Sequence, residues 1–452
     1  MNKSYEIDMC HGPLLGKILI FSIPLMLSGI LQLLFNAADT IVVGRFAGST
    51  ALAAVGSTGS LINLLVNLFI GFSVGANVLV ARFHGADRDD EVSETVHTAI
   101  VLSIISGFFL LILGVTVTRT ILIWMGTPDD VLDQASLYLK IYFLGMPMML
   151  LYNFGSSILR AMGDTRRPLY YLVTAGVVNV ILNLIFVIGF HLGVAGVAIA
   201  TVVSQTISAA LIIRCLIRME GCCHLDIHRL HLTGNKMKQI MQIGLPAGLQ
   251  GCVFSLSNVL IQSSINSFGS TAMAGNTASM NIENFIYISM NTFQQTAMSF
   301  TSQNYGAGEE KRIHRVLFIC LGMVVTVGMV MGMSAWLAGD FLLSVYSSDS
   351  DVVAYGLQRM SVICTTYFLC GIMDTVVGAL RGIGYSLMPM IVSLIGACGL
   401  RILWIFTIFQ WHHSLWMLYI SYPITWIVTA TVHIICYILV RRRQLQRTTE
   451  VF

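Results

Sequence analysis

Long apolar stretches dominate this sequence and restrict what it can fold into. A helix that crosses a lipid bilayer needs about 20 mostly apolar residues. Twelve stretches meet that length, at residues 15–43, 52–81, 94–119, 137–159, 168–190, 193–217, 239–266, 271–300, 314–338, 352–379, 388–411 and 414–440. Hydrophobic residues make up 56% of the chain and charged residues only 10%, whereas a soluble domain carries about 25% charged residues. A soluble protein is excluded, and we expect an all-α polytopic membrane protein with 12 transmembrane helices.

Basic residues follow every second predicted span, and this distribution predicts the orientation. Arg166 and Arg167 lie between the fourth and fifth spans, and Lys236 and Lys238 precede the seventh. The odd-numbered connections carry acids instead, such as Asp129. Because Lys and Arg concentrate on the cytoplasmic side of membrane proteins, we expect a multi-pass protein of the bacterial cytoplasmic membrane with both termini cytoplasmic.

The two halves of the chain repeat one another at a shift of 221 residues. GSTALA at 48–53 returns as GSTAMA at 269–274, and RAMGDTRRP at 160–168 returns as RGIGYSLMP at 381–389. We therefore expect two pseudo-symmetric six-helix bundles, 1–217 and 239–452 with its cytoplasmic tail, joined by a cytoplasmic linker at 218–238. Transporters built from such repeats place their cargo site between the two halves.

Three acidic side chains lie inside predicted spans and away from the terminal residues of those spans, where an ionisable group is costly and commonly functional. They are Asp39, Glu283 and Asp374. The residue 221 positions away in the other half of the chain is not an acid in any of the three cases. These counterparts are Leu260, Ile62 and Asn153, respectively. Because the scaffold is duplicated and its acids are not, we infer that each acid serves a task specific to one half.

The first span carries a polar stripe that ends at Asp39. Its spacing places four side chains on one helix face: Ser28, Gln32, Asn36 and Asp39. Counting the rise along each helix puts Asn183 of the fifth span, Asn179 one turn below it, and Thr201 of the sixth span at a similar depth. Such a group can hold a proton or a small cation. In the alternative interpretation Asp39 caps the outer end of its helix near Arg45.

The eighth span carries a second polar face, formed by Glu283, Tyr287, Met290 and Gln294. An acid, an aromatic ring and a thioether suit an amphipathic organic cation. Alternatively, Glu283 pairs with Arg401, which lies at a similar depth in the eleventh span, and the two charges cancel. Asp374 either contacts cargo or meets Arg381. The predicted substrate-binding residues are Gln32, Asn36, Glu283, Tyr287, Met290, Gln294 and Asp374.

Other chemical signals are weak. EGCCHLDIHRLH at 220–231 clusters cysteines and histidines without the spacing of a zinc site, so we expect a solvated linker and no metal. No phosphate-binding loop or hydrolase, protease or kinase motif occurs. We expect no enzymatic activity, no cofactor and no nucleic-acid partner. The expected partners are membrane lipids and a small organic cation, and we expect a monomer.

Several motifs together resemble those of the multidrug and toxic-compound extrusion (MATE) family, whose superfamily includes lipid-linked oligosaccharide flippases. They are FNAADTIVVGRFAG in span 1, RAMGDTRRP after span 4, VVNVILNLIFVIGF in span 5, GVAGVAIATVVSQ in span 6, NIENF and SQNYGAG in span 8, and GALRGIGYSLMP after span 10. The resemblance covers essentially the whole chain and points to a bacterial member of the DinF-like and MepA-like branch.

The resemblance implies export of amphipathic organic cations, including drugs and toxic compounds, in exchange for H⁺ or Na⁺. Asp39 matches the span 1 acid of the proton-coupled branch, Asn179 the span 5 asparagine and Thr201 the span 6 hydroxyl. Asn183 and Leu184 stand where that branch has Asp-Pro, so one acid is present instead of two.

The acid that the sodium-coupled branch has in span 7 is absent, because that stretch reads Phe254-Ser255. We therefore expect a secondary antiporter whose ion-coupling residues are Asp39, Asn179, Asn183 and Thr201, with H⁺ as the coupling ion and Na⁺ as the other candidate.

Two other functions stay open at this point. A flippase for a lipid-linked precursor would need a strongly basic cavity, and Arg359 and Arg401 are the only Lys or Arg residues more than five positions inside the predicted spans. A non-transporting membrane receptor would give no reason for a two-bundle repeat with asymmetric acids.

Overall fold

A computed structural model of the chain describes residues 5–449, and that part of the chain is helical with no β-strand. Its helices are α1 (Leu14–Phe46), α2 (Ser49–Gly85), α3 (Asp89–Trp124), α4 (Asp129–Leu144), α5 (Met146–Ala161), α6 (Arg166–Leu184), α7 (Gly193–Arg218), α8 (Gly234–Asn266), α9 (Ser270–Gly306), α10 (Glu310–Leu337), α11 (Gly339–Ser344), α12 (Ser350–Thr366), α13 (Phe368–Gly382), α14 (Leu387–Ser393), α15 (Leu400–Phe406), α16 (Ile408–Trp411) and α17 (Leu415–Thr449). Two π-helical turns, Ile185–Gly189 and Leu394–Gly399, follow α6 and α14, and a 3-10 turn covers Ile227–Arg229.

Most of these helices are long and apolar enough to cross a membrane. Within residues 5–449, nine helical segments meet that requirement, and two bent pairs meet it together: α4 with α5, at 47°, and α12 with α13, at 43°. Gly145 and Pro147 lie at the first bend, where proline removes a backbone donor. The 37-residue α9 is long enough but too polar to be identified by composition. With α9 included, the predicted twelve-span all-α fold is confirmed.

The sequence repeat is visible in the backbone. α2 and α9 each contain 37 residues and begin 221 positions apart. Each is preceded by a glycine with positive φ, 92° at Gly48 and 95° at Gly269. Side chains with a Cβ rarely adopt this conformation, so both halves need glycine at the same turn.

The chain divides into two compact units whose limits differ from those of the repeat. The first contains the residues up to Met9 together with Ile23–Cys252, and the second contains Cys10–Ser22 and the residues from Val253 onward. Each unit thus includes part of a helix that belongs to the other half of the sequence. The bundle limits 1–217 and 239–452 describe the sequence repeat and stay a prediction.

Close packing between helices explains why each unit includes part of a helix from the other half of the sequence. In the first unit, a Cβ at Gly71 of α2 would lie 2.4 Å from the backbone nitrogen of Gly248, and one at Gly75 would lie 2.2 Å from a carbonyl oxygen of α8. Small residues four positions apart let membrane helices approach this closely. In the second unit, the start of α1 packs on α9: the Phe21 and Phe300 rings lie 5.5 Å apart.

Candidate functional site

A close contact with α6 positions the polar end of α1. A Cβ at Gly176 of α6 would lie 1.9 Å from an atom of the Phe35 ring, so the ring occupies space that any larger residue would need. Asp39 lies one turn beyond Phe35, and Asn179 and Asn183 lie one and two turns beyond Gly176. The glycine contact thereby brings the acid of α1 to the two amides of α6.

Asp39, Asn183 and Asn179 form a hydrogen-bonded row that we call the acid–amide cluster. Nδ2 of Asn183 donates to Oδ1 of Asp39 and to Oδ1 of Asn179, at 3.2 Å. Both asparagines are buried, with 1% and 4% of their surfaces exposed. No salt bridge joins Asp39 to Arg45 or to any other basic side chain in residues 5–449. The partners of this acid are therefore neutral.

The acid–amide cluster also holds an unused acceptor. Oδ1 of Asn183 is buried and has no hydrogen-bond partner in the described part of the chain. An ionised carboxylate only accepts hydrogen bonds, whereas a protonated carboxyl also donates one. The Asn183 amide can donate to ionised Asp39 through Nδ2 and accept from protonated Asp39 through Oδ1, so the cluster can accommodate both charge states of the acid.

The backbone changes its winding directly after this cluster. The α-helical part of α6 ends at Leu184, and Ile185–Gly189 is π-helical. Single π-helical turns inside helices are rare and frequently occur at functional sites. The apolar sequence of this segment gave no sign of the change.

The other residues predicted around Asp39 do not join its hydrogen bonds. The Thr201 hydroxyl donates to the carbonyl of Val197 in its own helix, at 2.9 Å. Gln32 and Asn36 are exposed on α1. The structure therefore brings together three of the four predicted ion-coupling residues, and Thr201 stays a predicted member of the group.

Sequence reasoning missed two phenols beside Asp39. Tyr138 and Tyr142 of α4 lie close enough to interact with it electrostatically, and their ring centroids are 6.0 Å apart. Gln205 of α7 lies beside Tyr142. The signal was available: the two tyrosines are four residues apart near the outer end of the predicted fourth span, at the depth expected for Asp39.

A second glycine contact positions the acid of α9. A Cβ at Gly275 of α9 would lie 2.9 Å from the backbone nitrogen of Gly356 in α12. Arg359 lies one turn beyond Gly356, and Glu283 lies two turns beyond Gly275. This contact brings the guanidinium of Arg359 to the carboxylate of Glu283, whereas the contact of α1 with α6 brings amides to the carboxylate of Asp39.

Glu283 and Arg359 form a bidentate salt bridge that, with its neighbours, we call the ion-pair cluster. Nε and one terminal nitrogen of Arg359 each donate to a Glu283 oxygen at 2.8 Å. Ser279 donates to the same carboxylate at 2.8 Å, and Arg359 donates to Asn276 at 2.9 Å. Glu283 and Arg359 are 3% and 4% exposed. Each carboxylate oxygen thus receives its own guanidinium donor, which is the bidentate form of an ion pair.

The alternative pairing of Glu283 with Arg401 is wrong, because Arg359 occupies that place. Arg401 instead donates to Thr425 at 3.0 Å, and its guanidinium carbon lies 4.0 Å from the ring centroid of Tyr422. Its Nε has no hydrogen-bond partner within residues 5–449. The packing of α12 on α9 selects the partner of Glu283, and an estimate of depth along a helix does not reveal that packing.

Met290 lies in a packed interior. It is 1% exposed, and its sulfur would lie 2.9 Å from a Cβ at Gly328 and 3.1 Å from one at Gly371. The side chain fills the space that these two glycines leave between α9, α10 and α13. Its predicted role in binding cargo has no support in this geometry.

The remaining predicted cargo contacts differ in accessibility. Tyr287 is 38% exposed, and Gln294 accepts a hydrogen bond from Asn291 at 2.6 Å. Asp374 is buried at 7% exposure and interacts electrostatically with Arg381 in its own helix. Tyr287 is therefore accessible at the protein surface, whereas Asp374 lies near a basic side chain, as its alternative interpretation expected.

The linker cysteines and histidines make separate local contacts. The imidazole of His224 hydrogen bonds to the carbonyl of Met219 at 3.1 Å, and that of His231 to the carbonyl of Arg229 at 2.8 Å. Hydrogen bonding with Cys223 and with His84 lowers the pKa of the Cys222 thiol to about 6. In the described range no group of three or more His, Cys, Asp or Glu side chains could hold a metal ion.

Comparison with known proteins agrees with this architecture. The MatE family model matches residues 24–185 and again residues 246–407, once in each half. "Probable multidrug resistance protein YoeA" of Bacillus subtilis is 26% identical over 390 residues, which cover 85% of this chain and 84% of that protein. The "FAD transporter" of Shewanella oneidensis is 26% identical over 396 residues, 85% of this chain and 86% of that protein.

A solved structure shows the same fold. It is described as the outward-facing conformation of a multidrug resistance MATE family transporter of the MOP superfamily, and it matches 99% of this chain and all of its own chain with a TM-score of 0.91 at 20% identity. Since the family model covers more than half of the sequence, the chain belongs to the MatE family, the multidrug and toxic-compound extrusion transporters.

Proposed function

We propose that this protein is a secondary antiporter that exports amphipathic organic cations in exchange for protons and that Asp39 carries the coupling proton. The observation that carries the proposal is the hydrogen-bond partner of Asp39: the neutral amide of Asn183, whose Oδ1 is an unused acceptor. An acid without a cationic partner is not held in its charged form by an ion pair. Such a group can take up and release a proton during transport.

A change of charge at Asp39 would alter its contact with α6. The ionised carboxylate accepts from Asn183, whereas the protonated carboxyl donates to it. This exchange favours different positions of α1 in the two states. Pro24 lies within the same helix and is a place where it can bend. In our proposal, protonation from the outer side favours bent α1 and weakens cargo binding.

The cationic cargo class rests on the family and on one exposed aromatic group. The Bacillus relative is named as a probable multidrug resistance protein. In this chain, the exposed ring of Tyr287 lies near enough to Asp374 to interact with it electrostatically. An aromatic face near a carboxylate suits an organic cation. We place the protein in the bacterial plasma membrane as a monomer with both termini in the cytoplasm.

A second cargo class, an aromatic anion, is favoured by Arg401. This side chain is 4% exposed, and no acid forms a salt bridge with it in residues 5–449. A run of stacked rings lies on the same side of the second unit: Tyr367 stacks on Trp426 at 5.3 Å, and Trp426 contacts Tyr422 at 5.6 Å. Stacked rings next to a cation suit a flat anionic molecule, and the Shewanella relative is named as an FAD transporter.

Transport in proteoliposomes tests both the coupling ion and the cargo. We would measure ethidium and FAD flux driven by a proton gradient or by a sodium gradient, for wild type and Asp39→Asn. We expect proton-driven ethidium flux that Asp39→Asn reduces to the rate of empty liposomes. Sodium-driven flux that depends on Asp39 would replace the proton mechanism, and flux of FAD alone would select the anionic cargo class.

The matched control is Asp129→Asn, which neutralises an exposed acid in the first turn of α4. It should transport at the wild-type rate. If Asp39→Asn also does so under a proton gradient, the role proposed for Asp39 is refuted. If neither cargo moves under either gradient, the lipid-precursor flippase becomes the leading interpretation.

A further inference from the structure

A cavity of about 280 Å³ lies at one end of α6 and α7, within the first unit. Its walls come from the first two turns of α6, from the last turns of α7 with the two residues that follow it, and from Glu6 of the N-terminal segment. None of these residues belongs to the acid–amide cluster. The proton-coupling proposal therefore gives this cavity no role.

One wall of the cavity is rigidly built. Oδ1 of Asp164 accepts hydrogen bonds from the backbone nitrogens of Arg166 and Arg167, at 3.0 and 3.1 Å. Nε of Arg167 lies 3.3 Å from the second oxygen of Asp164. At Gly163, a Cβ would lie 2.4 Å from the carbonyl oxygen of Ile7, so the N-terminal segment packs tightly against this turn. Of these residues Arg167 lines the cavity, and its guanidinium is held by Asp164.

The part of the wall that α7 contributes carries two arginines on one helix face. Arg214 and Arg218 are exposed residues four positions apart in the last turns of α7, and both line the cavity. Neither forms a salt bridge with an acid in residues 5–449. Like charges at this spacing repel each other, and an anion held between them would remove that repulsion.

The position of the cavity at the ends of two predicted spans is where we expect lipid headgroups to meet water. α6 and α7 both belong to candidate membrane spans, and the cavity is at their ends. Tyr171 lines it, and Tyr170 beside it is 52% exposed. Tyrosines are enriched at the membrane–water boundary. The basic residues on this side also mark the leaflet that we expect to face the cytoplasm.

We propose that this cavity binds the phosphate group of an anionic phospholipid, with a phosphatidylglycerol headgroup as its occupant. Arg214 and Arg218 would hold the phosphate oxygens, since guanidinium groups match phosphate geometry. The headgroup hydroxyls would donate to Glu6 or Glu220, which also line the cavity. Basic pockets between helices on the cytoplasmic side are suited to anionic headgroups. This combination favours a headgroup with hydroxyl donors over phosphatidylcholine, which has none.

Native mass spectrometry of the full-length protein in detergent tests the site. We would titrate phosphatidylglycerol, phosphatidylcholine and inorganic phosphate into wild type, Arg214→Gln/Arg218→Gln and a control, Arg442→Gln/Arg443→Gln. The control removes the same charge from two exposed arginines about two turns before the end of α17. We expect at least tenfold weaker phosphatidylglycerol binding in the Arg214/Arg218 variant and wild-type binding in the control.

Three outcomes would overturn the lipid assignment. The first is equal phosphatidylglycerol binding by wild type and the Arg214/Arg218 variant. The second is an equal loss in the control, which would indicate a general charge effect. The third is binding of inorganic phosphate that needs Arg214 and Arg218 while phosphatidylglycerol does not compete, which would assign the cavity to a free phosphate. A thermal melt of each variant confirms that it is folded.

Discussion

The acid–amide cluster and the ion-pair cluster hold their acids in opposite ways. Each acid follows a glycine contact between two helices, Gly176 with Phe35 in one case and Gly275 with Gly356 in the other. The first contact leads Asp39 to neutral amides, and the second leads Glu283 to a bidentate guanidinium.

This difference explains which acid can take part in coupling. Loss of a proton from a carboxyl that faces a neutral amide changes the local charge by one, and within residues 5–449 no cation forms a salt bridge with Asp39 that would oppose uptake of the proton. A carboxylate that receives two hydrogen bonds from a buried arginine is held ionised. Burial inside the membrane therefore does not by itself identify a coupling residue, because the neighbouring side chains decide whether the charge can change.

Breaking the ion-pair cluster should have the largest effect on stability. Arg359→Met leaves Glu283 buried without its cation, and breaking a buried pair costs about 3–5 kcal/mol. We expect a large fall in folded yield and in the thermal unfolding midpoint of the detergent-purified protein.

Two variants test that explanation. Glu283→Leu/Arg359→Met removes both charges and should recover most of the stability, since apolar replacement of a whole buried pair is often neutral. Arg119→Met breaks a surface pair whose side chains are 54% and 81% exposed, and it should cost less than about 1 kcal/mol. A stable Arg359→Met protein would show that Glu283 does not need this partner.

Removing the amide donor from Asp39 should have an intermediate effect and act mainly on transport. Asn183→Leu takes away the hydrogen bond to the ionised acid, which is worth about 1.5–3 kcal/mol for a charged acceptor. Asp39 then favours its protonated form, so we expect the pH of half-maximal proton-driven flux to move upward.

The matched control is Asn153→Leu in α5, whose amide donates to Met149 of its own helix at 2.9 Å. Its pH profile should be that of wild type. An unchanged pH profile in Asn183→Leu would show that this amide does not govern protonation of Asp39. The pH dependence of initial flux rates in proteoliposomes measures the difference.

The sequence was sufficient to predict the twelve spans and the row formed by Asp39, Asn179 and Asn183. Hydrophobic length indicates a span, and the known rise of a helix converts position into depth. Residues of equal depth on neighbouring helices then become candidates for contact. The MatE resemblance named Asp39 and Asn179 as well, and the hydrogen bonds of the folded chain join them through Asn183.

The depth in the membrane that we estimate from a residue's position along its helix could not identify the partner of Glu283. Arg359 and Arg401 both lie within spans, and the choice between them depends on which helix packs on α9 and on its rotation. That choice is made by Gly275 and Gly356, whose missing side chains allow the contact. A single sequence shows the glycines, but it does not show which two meet. The π-helical turn after Leu184 was hidden for a similar reason, because its apolar residues also suit an α-helix.

Substitution of Thr201 should have the smallest effect on transport, and it tests whether Thr201 belongs to the acid–amide cluster. Its hydroxyl already donates within α7, to the carbonyl of Val197, so Thr201→Val removes no hydrogen bond to Asp39. We expect proton-driven flux within about twofold of wild type, because a factor of ten would require about 1.4 kcal/mol. Thr201→Ser, which keeps the hydroxyl, is the control. If Thr201→Val abolishes flux as Asp39→Asn should, while Thr201→Ser transports normally, the hydroxyl acts in a transport state that differs from this structure. The four-residue coupling group predicted from the sequence would then be correct, and the three-residue cluster would be incomplete.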